Sequence, residues 1–216
     1  MQKYIKRLLI GFTALLVAGG SLSLGMFTDE AQAATYKVSN GPLFNDPYGS
    51  KSKRMAILNQ INGAVDKAPK GAVIRIATFS IKDKASADKL IAAHKRGVKV
   101  QIITSDHMFD QEDEKKEAQD TEQLRRLMKA LGTTVTADNS RSFVKICRRG
   151  CSSEHEYSTV HSKLYMFSTT GASKRVVMVG SANLSLGHAY AWNNLYRTVG
   201  NETYYNLLVD HFYKMA

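Results

Sequence analysis

Two apolar periods alternate along this chain, one near 3.6 and one of two, and together they lay out its elements. Met55, Leu58, Ile61 and Val65 recur at three to four. That predicts an amphipathic helix over Lys53–Ala68, with Ser52 as N-cap and Pro69 past its end. After Gly71, the β-rich run Ala72–Phe79 reads as a strand. Ser86–Arg96 is the next helix, with Leu90, Ile91 and Ala93 inward and Gly97 just beyond it. Val98–Thr104 is again a strand, so this stretch forms a βαβ unit. The charged segment Asp106–Asp120 reads as a solvated loop or helix start, and Leu124, Leu127, Met128 and Leu131 carry a helix that stops at Gly132.

Period-two or apolar runs predict further strands at Thr133–Ala137, Ser142–Ile146, Thr159–Phe167, Arg175–Val179 and Asn194–Val199, with Ser168–Lys174 a polar turn. Asn201 caps a last helix, Glu202–Met215, whose Tyr205, Leu208, Val209 and Phe212 form a core-facing stripe. The stretch from Ala34 to Lys53 is polar and turn-rich, and its Phe44-Asn45-Asp46-Pro47 reads as a loop pinned by one aromatic. No internal repeat is present. The expectation is one α/β domain with a mixed, largely parallel sheet flanked by helices.

The first 33 residues follow a different rule. Lys3, Lys6 and Arg7 precede an apolar run, Leu8–Val17, and Ala31 and Ala33 give an Ala-x-Ala pattern. This is the layout of an export signal cleaved after Ala33, its apolar run being short of the ~20 residues a membrane span needs. The expected organisation is a signal peptide over 1–33 and a secreted, extracellular domain over 34–216. The formal net charge of the chain is +11, and removing the signal lowers it by only one. Such a surface suits a phosphate-bearing partner, nucleic acid or anionic membrane, without choosing between them. Export also favours a disulfide between Cys147 and Cys151. A metal site from Cys147, Cys151 and His155 is the alternative, and it lacks a fourth ligand.

The chemistry concentrates in Thr159–Phe167. His161 and Lys163 lie two apart in an apolar run, and strand alternation would put imidazole and ammonium on one face. A second apolar run, Val176–Val179, leads into Gly180-Ser181-Ala182-Asn183, which adds small polar groups and backbone amides. A nucleophilic imidazole, a fixed cation and such donors suit attack on a phosphodiester.

His-x-Lys followed by Gly-Ser-x-Asn resembles the motif of the phospholipase D superfamily. The resemblance implies one phospholipase D-like lobe with no metal or cofactor. His161 would be the nucleophile that forms a phosphohistidine and Lys163 a phosphate clamp. Ser181 and Asn183 would bind phosphate oxygens. It implies a secreted phosphodiesterase acting on a phospholipid head group, in peripheral contact with an anionic membrane surface. A single-motif endonuclease acting on nucleic acid, or a catalytically silent phosphate-binding lobe, are the alternatives. Three departures stand out: Ser168 replaces the Asp usual five residues after the lysine, eleven residues separate it from Gly180, and only one His-x-Lys is present. Because the family builds its site from two motifs, the last departure implies a homodimer or a missing second lobe.

Overall fold

The computed structural model of the chain describes residues 35–109, 112–151, 155 and 158–216. The expected export segment and its expected cleavage point lie outside the described residues. Among those described, no helix is long and apolar enough to cross a membrane.

Among the described residues seven strands form one sheet: β1 (Gly41–Phe44), β2 (Val73–Thr78), β3 (Lys99–Ser105), β4 (Phe143–Cys147), β5 (Lys163–Thr170), β6 (Ser173–Gly180) and β7 (Asn194–Thr198). Their spatial order is β1-β7-β6-β5-β2-β3-β4. The longer helices among the described residues are α1 (Ala56–Asp66), α2 (Lys84–Lys95), α3 (Glu114–Leu131) and α4 (Glu202–Met215). A helical turn at Lys51–Arg54, capped by Ser50 and not by Ser52, precedes α1.

The sheet is mixed, as expected, but it is not largely parallel. Among the described strands only β2–β3 and β3–β4 pair in parallel. The β1–β7, β2–β5, β5–β6 and β6–β7 ladders are antiparallel. The reason is the connections. Parallel pairing needs a return crossover, which α2 and α3 provide. β5 and β6 are instead joined by Gly171-Ala172 alone, a tight hairpin that also removes the longer polar turn expected at Ser168–Lys174. The strand expected at Thr133–Ala137 does not form. That segment is irregular, and the β4 ladder takes the place beside β3. An edge strand, β1, forms within the stretch expected to be turns only. It tolerates Pro42 because an edge strand can leave one amide position unpaired.

Each face of the sheet carries its own core, as period two requires. Ile74 and Ile76 of β2, Val100 and Ile102 of β3, and Tyr165 and Phe167 of β5 pack under α1, α2 and α3. Ala77, Ile103, Leu164 and Met166 face the other way, against Tyr205 and Phe212 of α4. β2 is buried along its whole length, which marks it as central. Its one charged residue, Arg75, is buried on the α4 side, where its guanidinium donates to the hydroxyls of Tyr205 and Tyr213 and to Asn139. The caps follow the sequence at the ends of α4 and α2: Asn201 accepts from the Tyr204 amide, and Gly97 follows α2 at φ +91°.

Candidate active site

The register gathers the candidate residues along one edge of the sheet. β2 ends where β5 begins, at the pair Thr78↔Lys163, and Thr78 also pairs Thr104 of β3. Leu164 pairs Val179 and Gly180 pairs Leu195, so the start of β5, the end of β6 and the start of β7 share that edge. The carboxyl ends of the parallel strands open there too, the usual place for a ligand in an α/β sheet.

Lys163 is the first residue of β5 and only 6% exposed. Its Nζ donates to the carbonyl of His161 at 2.7 Å and lies 5.6 Å from the centre of the Phe79 ring. No carboxylate pairs with it among the described residues, and burial pushes its pKa below the usual lysine value. His161 does not lie in the strand. β2 stops at Thr78, so the ladder has no partner for residues before Lys163, and the run 158–162 is irregular. The expected shared face is therefore replaced by a different link. The His161 carbonyl holds the ammonium, while its exposed imidazole stands edge-on to Phe79 with ring centres 5.5 Å apart. His107 contacts the same Phe79 ring at 5.1 Å.

Two neighbours hold the segment that leads to His161. The Ser105 and Thr159 hydroxyls share a hydrogen bond of 2.6 Å. Cys147 and Cys151 form the expected disulfide, and with both sulfurs in that bond neither is left as a thiolate ligand for a metal. The turn it closes lies directly against residues 158 and 159. A Cβ on Gly150, at φ +64°, would be 3.3 Å from both the Ser158 Cβ and the Thr159 nitrogen. Among the described residues no cluster of His, Cys, Asp and Glu is arranged to hold a metal ion.

Asn183 is buried and fully oriented. Its Oδ1 accepts from the Thr78 hydroxyl at 3.0 Å and the Ser80 amide at 3.4 Å, while its Nδ2 lies 3.1 Å from His188 Nε2. His188 has its pKa lowered, chiefly by burial, with a hydrogen bond to Asn193 opposing that and the charge of Lys163 adding a smaller push downward. A neutral ring with Nε2 accepting from Asn183 suits that shift, which places the proton on Nδ1. Ser181 is used differently. Its hydroxyl donates to Asn193 Oδ1 at 2.7 Å and accepts from the Asn194 amide, so it ties the β6 end to β7. Gly180 is needed at this crossing, where a Cβ would collide with the carbonyl oxygen of Asn194.

The structure thus brings His161, Lys163 and Asn183 to one edge and turns the Ser181 hydroxyl into the adjoining turn. Ser168 lies five residues along β5, about 17 Å away at strand rise. There its hydroxyl accepts from the Val73 amide and fastens the start of β2, leaving the site edge untouched. Thr78, Phe79 and His188 were not singled out from sequence as site residues. Thr78 carries a signal, a polar residue ending an apolar strand. Phe79 and His188 reach the site only through the fold.

A chain with this sheet, this edge and this motif has counterparts among known proteins. The family model described as cardiolipin synthase, PLD-like domain, matches residues 57–214. The chain belongs to the phospholipase D superfamily of phosphodiesterases through that domain. Its fold is similar to NucT from Helicobacter pylori, with a TM-score of 0.54 and 16% identity over 82% of this chain and 94% of that one. It is likewise similar to Nuc from Salmonella typhimurium, a phospholipase D family member, at TM-score 0.53 and 16% identity over the same shares. The phosphatidylserine synthase of Haemophilus influenzae aligns at TM-score 0.50 and 16% identity, over 81% of this chain and 37% of that chain. No curated protein sequence matches the chain.

Proposed function

We propose that this chain is a secreted phospholipase D-like hydrolase that cleaves the head-group phosphodiester of a phospholipid through a phosphohistidine at His161. The observation that carries the reading is Lys163. It is a buried ammonium with no acid partner among the described residues, held beside an exposed imidazole. Burying an unneutralised cation is costly, and an arriving phosphate supplies the missing charge. In the proposed reaction, a ring nitrogen of His161 bonds to phosphorus as the phosphorus–oxygen bond to the head-group alcohol breaks. An acid gives that oxygen its proton. Water then attacks phosphorus, releases His161 and leaves the phosphatidic acid. Lys163 neutralises the phosphoryl oxygens as charge builds on them, and the amide of Asn183, fixed by Thr78, Ser80 and His188, orients the group.

His161 cannot serve at once as nucleophile and as that acid. The second acid is assigned to His161 of another copy across a twofold interface, or to a missing second lobe. The phospholipid assignment draws on the family description, which names a cardiolipin synthase. A second reading, cleavage of nucleic acid, is favoured by the net charge of +11 and by Arg148 and Arg149, exposed in the disulfide turn at this edge. Parallel assays on phosphatidylcholine vesicles and on DNA, across a salt series, separate the two. Hydrolysis of the vesicles with little salt dependence supports the lipid reading. Cleavage of DNA alone, falling steeply with salt through counterion release, replaces it with the second.

A further inference from the structure

The loop that carries His188 has two sides. Inward, His188 meets Asn183, and its carbonyl accepts from Asn45 and Asn193. Outward, Leu186, Tyr190 and Trp192 are 52%, 72% and 68% exposed, beside Tyr48 at 89%. These side chains form one rim, because their segments are tied together underneath. Asn45 Nδ2 donates to the Ala191 carbonyl at 2.8 Å, and the Asn193 amide donates to Asn45 Oδ1 at 2.7 Å. Asn45, not Phe44, therefore pins the loop that sequence assigned to its aromatic residue. The Tyr48 and Trp192 rings lie 6.2 Å apart, and the Arg54 guanidinium sits 5.8 Å over Tyr190.

Apolar side chains this exposed are unfavourable in water unless something covers them. The charge around them says what. Lys51, Lys53 and Arg54 line the adjoining helical turn, and Asp46 accepts from the Tyr48 amide. The acids that share the groove with Leu186 and Tyr190 are already answered: Asp66 by Lys89, Asp88 by Lys84 and Arg126, and Asp83 by Ser86. Tryptophan and tyrosine with flanking lysines and arginines match a lipid–water interface, where rings enter the headgroup layer and cations meet anionic lipid. A nucleic-acid strand asks for something else, rings laid flat along a basic groove. Here the paired rings are tilted by 57° and stand out of the surface.

We infer that the rim formed by Tyr48, Leu186, Tyr190 and Trp192 docks this chain on an anionic bilayer. The docking rests on the reading that the adjacent site works on lipid phosphodiesters. Insertion of the rim sets the outer side of the His188 loop in the headgroup layer, so that the edge carrying Lys163 and Asn183 faces the phosphates.

Trp192 is the only tryptophan in the chain and reports on the rim directly. The experiment titrates the full chain with vesicles of phosphatidylglycerol mixed with phosphatidylcholine and reads Trp192 emission and its quenching by acrylamide. The expected result is a blue shift with reduced quenching. Tyr48→Ser with Tyr190→Ser should weaken it at least about tenfold, from the apolar area removed. Charge reversal by Lys51→Glu with Lys53→Glu should weaken it by about 100-fold or more. Both variants should hydrolyse a soluble phosphodiester, bis(p-nitrophenyl) phosphate, like the parent, which shows that they fold. Binding through the export segment alone would leave Trp192 in water and overturns the inference. So does emission that shifts only with single-stranded DNA or only on raising protein concentration, as does unchanged vesicle binding by both variants. Docking without hydrolysis of vesicle phospholipid sinks the lipid reading of the site alone; hydrolysis of vesicles with Trp192 still exposed sinks the docking alone.

Discussion

Replacing Lys163 with methionine should make the protein more stable and inactive. The ammonium has left bulk water and bonds one carbonyl, that of His161, with the Phe79 ring nearby and no acid among the described residues. The effective desolvation penalty is several kcal/mol for a buried ion. Against it stand one charge-assisted hydrogen bond, about 1.5–3 kcal/mol, and a cation–π contact of about 0.5–2 kcal/mol. The balance is read from the pKa. Burial holds it below 10.5, so the fold favours the ammonium less than water does. Methionine keeps most of the length and removes the charge, and because His161 is an exposed residue its carbonyl can bond water instead. The expected gain is about 1–2 kcal/mol, or roughly 2–4 °C in Tm per kcal/mol for a domain of this size. Urea unfolding at neutral pH measures it. Between the folded pKa of Lys163 and 10.5 the unfolded chain holds more protons, so this residue makes wild-type stability rise with pH in that window. The variant should lack that rise, and its turnover should fall at least about 100-fold. Destabilisation by more than about 1 kcal/mol, or an unchanged pH slope, would refute the reasoning.

The other expectations concern the supports of the site. The disulfide closes only a short turn, so Cys147→Ser with Cys151→Ser should cost about 2 kcal/mol or less in urea unfolding while lowering turnover as residues 158–161 loosen; undiminished turnover by that variant would count against it. His188 has a lowered pKa, so below about 6.5 the unfolded chain binds more proton there and its contribution is lost on acidification; His188→Gln should flatten the acid side of the stability profile. Phe212→Ala, at a fully buried position of the α4 face packed on Phe143, should cost about 3–5 kcal/mol in urea unfolding. Sedimentation of active protein should give a dimer, and full activity from a strict monomer would exclude the shared acid.

Much of the fold was legible because local pattern and tertiary burial agree. The stripe Leu58, Ile61, Val65 is buried in α1, and Tyr205 and Phe212 of the last helix are buried as their spacing implied. Strand direction was not legible. The apolar run of β5 reads the same whether it meets β2 parallel or antiparallel, and the two-residue hairpin to β6 fixes β5 against β6 alone. Thr133–Ala137 carries β-branched residues but lies where β4 already pairs with β3, so propensity lost to topology. At the site, motif spacing singled out Lys163 and Asn183, and the fold places both at the same edge of the sheet. The Phe79 ring between His107 and His161, and the His188 that fixes Asn183, depend on contacts between distant segments that no periodicity encodes.

The central claim is that His161 carries the phosphoryl group, and trapping tests it most directly. Protein mixed with a phosphodiester labelled in its retained phosphoryl portion is quenched during turnover, kept under conditions that preserve phosphohistidine, and digested for mass spectrometry. The account predicts the label on His161, absent from His161→Ala, with that variant folded and inactive. Label on another residue, or undiminished turnover by His161→Ala, would contradict it.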